Sequence, residues 1–339
     1  NGTIVFEKEY TNDYDSLFIT TNTEPGMYNY FDPKWHPYYK DTRLHTMQSV
    51  SKSLTAAAVG IALKNDQIPG LDTKIMNYFD EYESSTPDHR RDAMTIRDVL
   101  TMTTGIRWDE SSMPYTDPTS NCVQMEKSSD WVQYVIDQPI EFEPGEKFEY
   151  NSGATMLLSY LIKNTTGLDL TDYVKTNLFE VLGITEYYWK HTPKGLTDAE
   201  GGLYLTPRDL AKFGYLYLNN GKWNGKQVLP DNWVENTLAK PVDTGSPWFK
   251  YSLQWWLMPY GNDHTALLAS GLGGQRMIVL PELDIVAVFT GWNIYEIPAL
   301  NSWMAMNKII NAVDTEMNHY PKLFILAIYF SILLGIGFF

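Results

Sequence analysis

The chain has 339 residues, of which 44% are hydrophobic and 20% are charged, and its formal net charge is −15. This length and composition are typical of one large globular domain, or of two lobes that share a core. The acidic balance excludes a nucleic-acid-binding protein, which needs a basic surface, and a single cysteine, Cys122, excludes an intrachain disulfide and a thiolate metal cluster.

The first part of the chain contains two short apolar runs and then a longer one. Residues 4–10 and 16–20 predict two N-terminal strands, with turn residues between them. The stretch HTMQSVSKSLTAAAVGIAL, residues 45–63, predicts a buried helix that starts near Ser49, because hydroxyl residues precede a run of small and aliphatic side chains.

The middle of the chain has helical spacing. Residues 94–106 predict a helix that is capped by Thr95 and ended by Gly105. Thr206 and Pro207 predict the start of another helix, since proline is favoured at the first helical position. Two further helices are predicted at residues 130–137 and 153–163.

The late part of the chain changes to short β-rich runs separated by Gly, Pro and Asp. These runs cover residues 251–259, 276–282 and 284–291. Strands near both ends with helices between them predict an α+β architecture, in which the terminal strands pair in one antiparallel sheet. We expect a catalytic domain over residues 1–312 and a connector over 313–322.

The remaining segment, residues 323–339, is seventeen residues without a charge. This is the lower limit for crossing a bilayer, and the alternative is a buried C-terminal helix. We expect a transmembrane segment here that anchors an extracytoplasmic domain, periplasmic or at the cell surface.

The helix start at residues 49–52 carries a candidate catalytic pair. Ser49 and Lys52 are three positions apart, so a helix places them on one face. A lysine with a pKa of about 10.4 cannot accept a proton at neutral pH, and we expect the apolar helix that follows to lower that pKa by desolvation. The same pattern also suits a capped, buried helix without chemistry.

Other catalytic constellations are missing from the sequence. It contains no Gly-x-Ser-x-Gly and no His-Glu-x-x-His, and its six histidines form no recognisable group. Cys122 lies in the polar stretch TSNCVQM, which predicts a loop and not a nucleophile. A serine and lysine pair therefore needs a nearby tyrosine, whose phenolate the lysine charge stabilises. Tyr150, between a Pro-Gly turn and a predicted helix, is the candidate.

Together these motifs resemble the serine β-lactamase-related family, which joins class C β-lactamases, DD-peptidases, esterases and 6-aminohexanoate-oligomer hydrolases. The first motif, Ser-x-x-Lys, matches residues 49–52, and the second, Tyr-x-Asn, matches at Tyr150 but has Ser152 in its third place. The third motif aligns with residues 269–271, Ala-Ser-Gly. The resemblance covers residue 1 to about residue 292 and implies a β-lactamase/transpeptidase-like fold, an antiparallel sheet flanked by helices with a mostly helical second lobe.

The resemblance also implies roles for individual residues. Ser49 is the acylated nucleophile, Lys52 its proton partner, and Tyr150 the base that returns a proton to the leaving group. The oxyanion lies between the backbone N–H groups of Ser49 and Leu272. Ser270 and Gly271 border the substrate, and Ser152 donates a hydrogen bond to the acyl amide. No metal and no cofactor are implied.

Two departures from the family bear on the substrate. Ala269 stands where penicillin-recognising members have a lysine that holds a substrate carboxylate, so either Arg276 or His264 is a candidate for that role. Ser152 has a shorter reach than Asn. No separate carboxylate for activating the deacylating water is apparent.

The sequence therefore favours a serine hydrolase of a small-molecule or short-peptide ester or amide. Two alternatives stay open, a DD-peptidase or β-lactamase and a non-hydrolysing acyl-binding sensor of the same fold. The natural substrate and the oligomeric state are not determined by the sequence.

Overall fold

The computed structural model describes residues 2–9, 43–115, 117–261, 263–291 and 302–316. Most helices lie between residues 51 and 239, and a larger sheet follows over residues 242–289. The α-helices are α1 (Ser51–Lys64), α2 (Ile96–Leu100), α3 (Asn121–Lys127), α4 (Trp131–Ile136), α5 (Ser152–Thr166), α6 (Leu170–Val174), α7 (Glu180–Leu182), α8 (Pro207–Leu218), α9 (Trp233–Ala239) and α10 (Ser302–Glu316).

Eleven strands lie in the described ranges and form three antiparallel sheets. The large sheet has the order β11-β10-β9-β8-β7-β6, and the two small sheets have the orders β1-β3-β2 and β4-β5. The strands are β1 (His45–Thr46), β2 (Tyr188–Trp189), β3 (Leu203–Leu205), β4 (Lys222–Trp223), β5 (Lys226–Gln227), β6 (Val242–Asp243), β7 (Lys250–Ser252), β8 (Trp255–Tyr260), β9 (His264–Gly271), β10 (Gln275–Leu280) and β11 (Ile285–Phe289).

The large sheet is covered on both faces, which explains its apolar strands. Side chains alternate along a strand, so each strand contributes to both faces. One face packs against α8 and joins the main core, and the other joins a smaller cluster with α10. The main-core face includes Leu267, Ala269, Met277, Val279, Val286 and Val288. The α10 face includes Met258, Ala266, Ile278, Leu280, Ala287 and Met306.

Helix α1 is the central helix of the main core. Every residue from Ser51 to Ala62 is buried, and α1 packs against α5. Small side chains permit this packing: a Cβ at Gly60 would lie 2.9 Å from the Trp233 ring. A helix that is apolar on all sides is stable only in such a fully enclosed position, so the predicted buried helix is confirmed.

Local signals account for most of the helix starts. Thr95 and Asp98 form a capping box at α2, and the Thr206 side chain accepts from the backbone of Asp209 while Pro207 is the first residue of α8. The predicted α+β class, the helices at 130–137 and 153–163 and the strands at 276–282 and 284–291 are confirmed. The run at 251–259 instead forms parts of two strands, β7 and β8, because Leu253 and Gln254 make a turn with positive φ between them.

Some predictions differ from the structure. Residues 4–9 form no strand and Ile4 makes only a single bridge, so the predicted strand at 4–10 is wrong over the described residues. Helix α2 ends at Leu100, not at Gly105; Gly105 has a φ of +74° in the loop that follows. A Cβ there would lie 2.2 Å from the carbonyl oxygen of Phe142, so this glycine serves a close backbone approach.

The predictions for the two ends of the chain fall largely outside the described ranges. The predicted strand at 16–20 and the predicted membrane segment at 323–339 lie among residues that the structure does not describe. Helix α10 spans the predicted domain boundary at residue 312. Among the described helices, none has both the length and the apolar character needed to cross a bilayer.

Candidate active site

Ser49 lies in a short 3-10 turn, Gln48–Val50, directly before α1. The preceding chain is held by β3, because the Met47 N–H donates to the Leu203 carbonyl at 2.8 Å. Gln48 has a φ of +49°, a left-handed conformation that is uncommon for a residue with a side chain. This turn directs Ser49 to the wall of a cavity of about 280 Å³.

Lys52 reaches Ser49 from within the protein. The lysine is 1% exposed, and its Nζ donates to Ser49 Oγ at 3.0 Å. Nζ also donates to the Glu200 carbonyl oxygen at 2.8 Å and to Glu200 Oε2 at 3.2 Å. These contacts match the three N–H donors of an ammonium group, so Lys52 is held in one orientation.

The electrostatic setting of Lys52 differs from the prediction. Burial by itself lowers the pKa of this amine. The negative charges of an ionised Tyr150, of Glu200 and of Glu110 outweigh burial, so the pKa of Lys52 is raised. The prediction that the apolar helix lowers this pKa is wrong, because carboxylates distant in sequence surround the amine. Lys52 therefore acts as a permanent cation beside Ser49.

Tyr150 is the second partner of Ser49, and the two side chains are hydrogen bonded. The Lys52 Nζ lies 5.3 Å from the centroid of the Tyr150 ring. Burial raises the pKa of Tyr150 above its usual value, and the Lys52 charge and the Ser49 hydrogen bond offset only part of that rise. Trp256 fixes the ring by stacking on it, with centroids 5.5 Å apart and an interplanar angle of 21°.

The end of β9 and the residue that follows it form a further part of the cavity wall, which Ser270, Gly271 and Leu272 all line. A Cβ at Gly271 would lie 2.4 Å from the Met47 carbonyl oxygen and 3.0 Å from Gln48 Cβ. Only a glycine therefore lets this strand approach the chain that precedes Ser49.

The geometry brings together a serine hydroxyl, a cation, a phenol and a glycine-ended strand, in the motif order expected from the sequence. The Beta-lactamase family matches residues 16–291, which is most of the chain. The chain belongs to the Beta-lactamase family. It is 28% identical over 265 residues to the 6-aminohexanoate-dimer hydrolase of Paenarthrobacter ureafaciens, covering 72% of this chain and 65% of that protein. It thus spans slightly less than two thirds of this relative's length.

Solved structures support the fold of this Beta-lactamase family chain. A Bacillus anthracis protein, provisionally named as a 6-aminohexanoate-dimer hydrolase, has a TM-score of 0.69 at 23% identity, with 84% of this chain and 76% of that chain covered. A penicillin binding protein from Bacillus halodurans has a TM-score of 0.55 at 18% identity, with coverage of 70% and 78%. The predicted β-lactamase/transpeptidase-like fold is confirmed.

Ser152, the departure in the second family motif, does not line the cavity. It is 1% exposed, its Oγ donates to Glu110 Oε1 at 2.6 Å, and its N–H donates to Glu110 Oε2 at 2.7 Å. The Glu110 carboxylate also accepts from Trp108 Nε1 and from the Tyr115 hydroxyl. The expectation that Ser152 contacts the acyl amide is therefore not met in this structure, because its hydroxyl is used at the start of α5.

Four carboxylates near the Beta-lactamase family motifs were not identified from the sequence. They are scattered between residues 110 and 200 without a common spacing, so only the fold brings them together. These residues are Glu110, Glu126, Asp198 and Glu200. One signal was present: Glu200 directly precedes the stretch GGLYLTPRDL, which leads into the helix start predicted at Thr206 and Pro207.

Cys122 also differs from its prediction. It lies on α3, is buried and lines the cavity, so the predicted polar loop is wrong. The apolar positions of α3 face the core. A helix of seven residues between polar loops is too short to show a clear helical period in the sequence. Donor atoms of Cys122, Glu126 and Glu200 lie within 4.8 Å of one another, the spacing of a metal site. The Lys52 ammonium at 3.2 Å from Glu200 opposes a divalent cation there.

The two candidates for binding a substrate carboxylate occupy different places. Arg276, opposite Ser270 in the β9–β10 pair, lines the cavity, while His264 lies at the far end of β9, where its Nδ1 is 3.9 Å from Glu282. Arg276 Nη1 donates to the Gly271 and Gln275 carbonyl oxygens. Burial lowers the pKa of Arg276 to about 10, and no carboxylate within the described ranges pairs with it.

Proposed function

We propose that this chain is a serine hydrolase that cleaves a small ester or amide through an acyl-enzyme on Ser49. The observation that carries the proposal is the contact of one cavity-lining hydroxyl with both Lys52 and Tyr150. A nucleophile with two proton-handling partners at a cavity wall is the arrangement that acyl transfer needs.

The raised pKa of Lys52 assigns the roles within this mechanism. Because Lys52 stays an ammonium, it cannot take the proton of Ser49, and the base is the phenolate form of Tyr150, which is a minor form at neutral pH because burial raises its pKa. Tyr150 takes the proton as Ser49 Oγ attacks the carbonyl carbon, and then gives it to the leaving oxygen or nitrogen. Lys52 stabilises the phenolate and orients Ser49 by its hydrogen bond.

The remaining steps use the cavity walls. We assign the oxyanion to the backbone N–H groups of Ser49 and Leu272, since both residues line the cavity. Water then attacks the ester carbonyl of the acyl-enzyme. Its proton goes to Tyr150, and Ser49 Oγ is released and reprotonated.

The substrate class follows from the cavity and the relatives. A cavity of about 280 Å³ holds a small acyl group, and the walls carry both charged and aromatic side chains. The Paenarthrobacter ureafaciens relative is named as a hydrolase of a 6-aminohexanoate dimer, whose units are joined by an amide. This supports a small amide or ester over a long polymer.

The proposal is tested by trapping the acyl-enzyme. We expect 4-nitrophenyl butyrate to give a burst of nitrophenol followed by steady turnover, and quenched protein to carry a butyryl group on the peptide that contains Ser49. Nitrocefin and a D-Ala-D-Ala peptide are measured in parallel, with Ser49→Ala as the blank. Turnover in the blank, or an adduct on another peptide, would contradict the nucleophile assignment. An adduct without turnover would favour the acyl-binding sensor.

Arg276 gives a prediction about substrate charge. Its guanidinium borders the cavity without a carboxylate partner in the described ranges, so we expect a preference for substrates with a carboxylate. The ratio of kcat/KM for mono-4-nitrophenyl glutarate to that for neutral 4-nitrophenyl butyrate is expected to fall about tenfold in Arg276→Gln.

The matched control for this prediction is Arg97→Gln. Arg97 pairs with Asp72 on the surface and does not line the cavity, so the same loss of charge should leave the ratio unchanged. An equal ratio in wild type and Arg276→Gln would exclude Arg276 from substrate recognition.

A further inference from the structure

Glu126 is a carboxyl group at the cavity that the proposed mechanism does not use. It lies on α3, and its side chain is hydrogen bonded to Glu200, the residue that holds Lys52. One helical turn earlier on α3, Cys122 Sγ lies 3.8 Å from Glu126 Oε1. Glu126 is thus linked to the nucleophile through two intermediate side chains, Glu200 and Lys52.

The ion pairs around this site leave Glu126 without a cation of its own. Lys52 pairs with Glu200 at 3.2 Å, and Lys190 pairs with Asp198 at 3.5 Å. Within the described part of the chain, no lysine, arginine or histidine forms a salt bridge with Glu126. Glu126 and Glu200 form a carboxyl pair. The titratable and charged groups that face this pair from the elements around it are Lys52 on α1, Cys122 on α3, Lys190 and Asp198 near β2 and β3, and Glu110, Tyr115 and Tyr150.

Two carboxyl groups in hydrogen-bond contact cannot both ionise without a large repulsion, so they share one proton. The asymmetry of the site decides where the proton resides. Burial and the Glu200 charge raise the pKa of Glu126, whereas Lys52 holds the pKa of Glu200 below its usual value despite burial. The proton therefore resides on Glu126, and the Glu126 carboxyl donates a hydrogen bond to the Glu200 carboxylate.

We propose that Glu126 is a positioning residue for catalysis at Ser49: by sharing one proton with Glu200, it holds the carboxyl pair beside Lys52 at a single negative charge. The inference rests on the proposed function, since it assigns a role in the same reaction. When the pair carries one negative charge, the Glu200 carboxylate fixes the Lys52 ammonium, and this ammonium still stabilises the phenolate of Tyr150. With two, the added charge disfavours the phenolate.

The direction of the pH effect follows from these charges. As pH rises, the pair loses its shared proton and its charge changes from −1 to −2. The second negative charge draws the Lys52 ammonium towards the carboxyl pair and away from Ser49 and Tyr150, so this form of the enzyme is less active and kcat/KM falls. Glu126 therefore contributes to the alkaline limb of the pH profile, while the ionisation of Tyr150 opposes that fall.

The variant Glu126→Gln tests this role, because the amide can still donate to Glu200 but cannot lose its proton. We expect the alkaline limb of the kcat/KM profile for 4-nitrophenyl butyrate to move up by about one pH unit. The matched control is Glu186→Gln, which removes a carboxylate on the exposed surface and should keep the wild-type limb. A Glu126→Asp variant keeps an ionisable carboxyl group, so its alkaline limb should stay close to that of the wild type.

A second measurement does not depend on the variant being active. The infrared spectrum of the wild type at pH 7 should show a protonated carboxyl band that bleaches on alkaline titration and is missing in Glu126→Gln. An alkaline limb or a carboxyl band that is the same in wild type and Glu126→Gln would overturn the inference and leave the proposed function standing. Failure of the wild type to hydrolyse any ester or amide would instead overturn the proposed function.

Discussion

Replacing Lys52 by methionine is expected to lower kcat/KM for 4-nitrophenyl butyrate by about 10³-fold or more. The variant removes the cation whose Nζ donates to Ser49 Oγ at 3.0 Å, and which in the proposed mechanism stabilises the Tyr150 phenolate. It also leaves the buried Glu200 carboxylate without its partner. The loss of one member of a buried pair costs about 3–5 kcal/mol, which chemical denaturation would measure as a lower free energy of unfolding.

Two further variants separate the activity loss from the stability loss. The double variant Lys52→Met/Glu200→Gln removes both charges, so we expect part of the stability to return and none of the activity. Lys212→Met, which breaks a partly exposed pair with Asp209, is the control and should cost less than about 1 kcal/mol. Wild-type turnover in Lys52→Met would exclude the lysine from the reaction.

Replacing Gly271 by alanine is expected to lower kcat about 10²-fold. The new Cβ would lie 2.4 Å from the Met47 carbonyl oxygen, which is backbone and cannot rotate away. The end of β9 must therefore move away from the turn that carries Ser49, and a displacement of about 1 Å between nucleophile and oxyanion donors is enough for such a loss.

The control for this prediction is Gly70→Ala. A Cβ at Gly70 meets no atom within 4 Å, and its backbone is not in the left-handed region, so activity and stability should be unchanged. Measurement of kcat with 4-nitrophenyl butyrate and of the thermal midpoint distinguishes a local rearrangement from unfolding. Full activity in Gly271→Ala would show that β9 does not need this close approach.

The parts of the site that the sequence predicted are those encoded over short distances. Ser49 and Lys52 lie on one helical turn, and Thr95 and Thr206 cap their helices through residues three places later. In each case the partners are separated by three positions, so spacing alone indicates the contact. Short β-rich runs bounded by Gly, Pro and Asp likewise predicted most of the late strands of the sheet.

The parts that the sequence did not predict depend on contacts across the whole chain. Glu200 meets Lys52 over 148 positions, and Glu110 meets Ser152 over 42. No sequence periodicity predicts contacts over such distances. The contact with Glu200 helps to raise the pKa of Lys52 instead of lowering it, and the contact with Glu110 occupies the Ser152 hydroxyl that was expected to bind the substrate. The N-terminal strand at 4–10 failed for a related reason, since β-propensity does not ensure a pairing partner.

The full enclosure of α1 has a consequence for how this enzyme can change. Ser49 directly precedes α1 and Lys52 lies in its first turn, and this helix has no exposed side between Ser51 and Ala62. By contrast, Trp256 and Arg276 line the cavity from strands and Tyr115 lines it from a loop. Substitutions on the loop and strand walls can reshape substrate choice without disturbing the proton chemistry, while almost any substitution on α1 disturbs the core. New specificities should therefore arise in laboratory selection from the cavity's outer walls, with α1 left invariant.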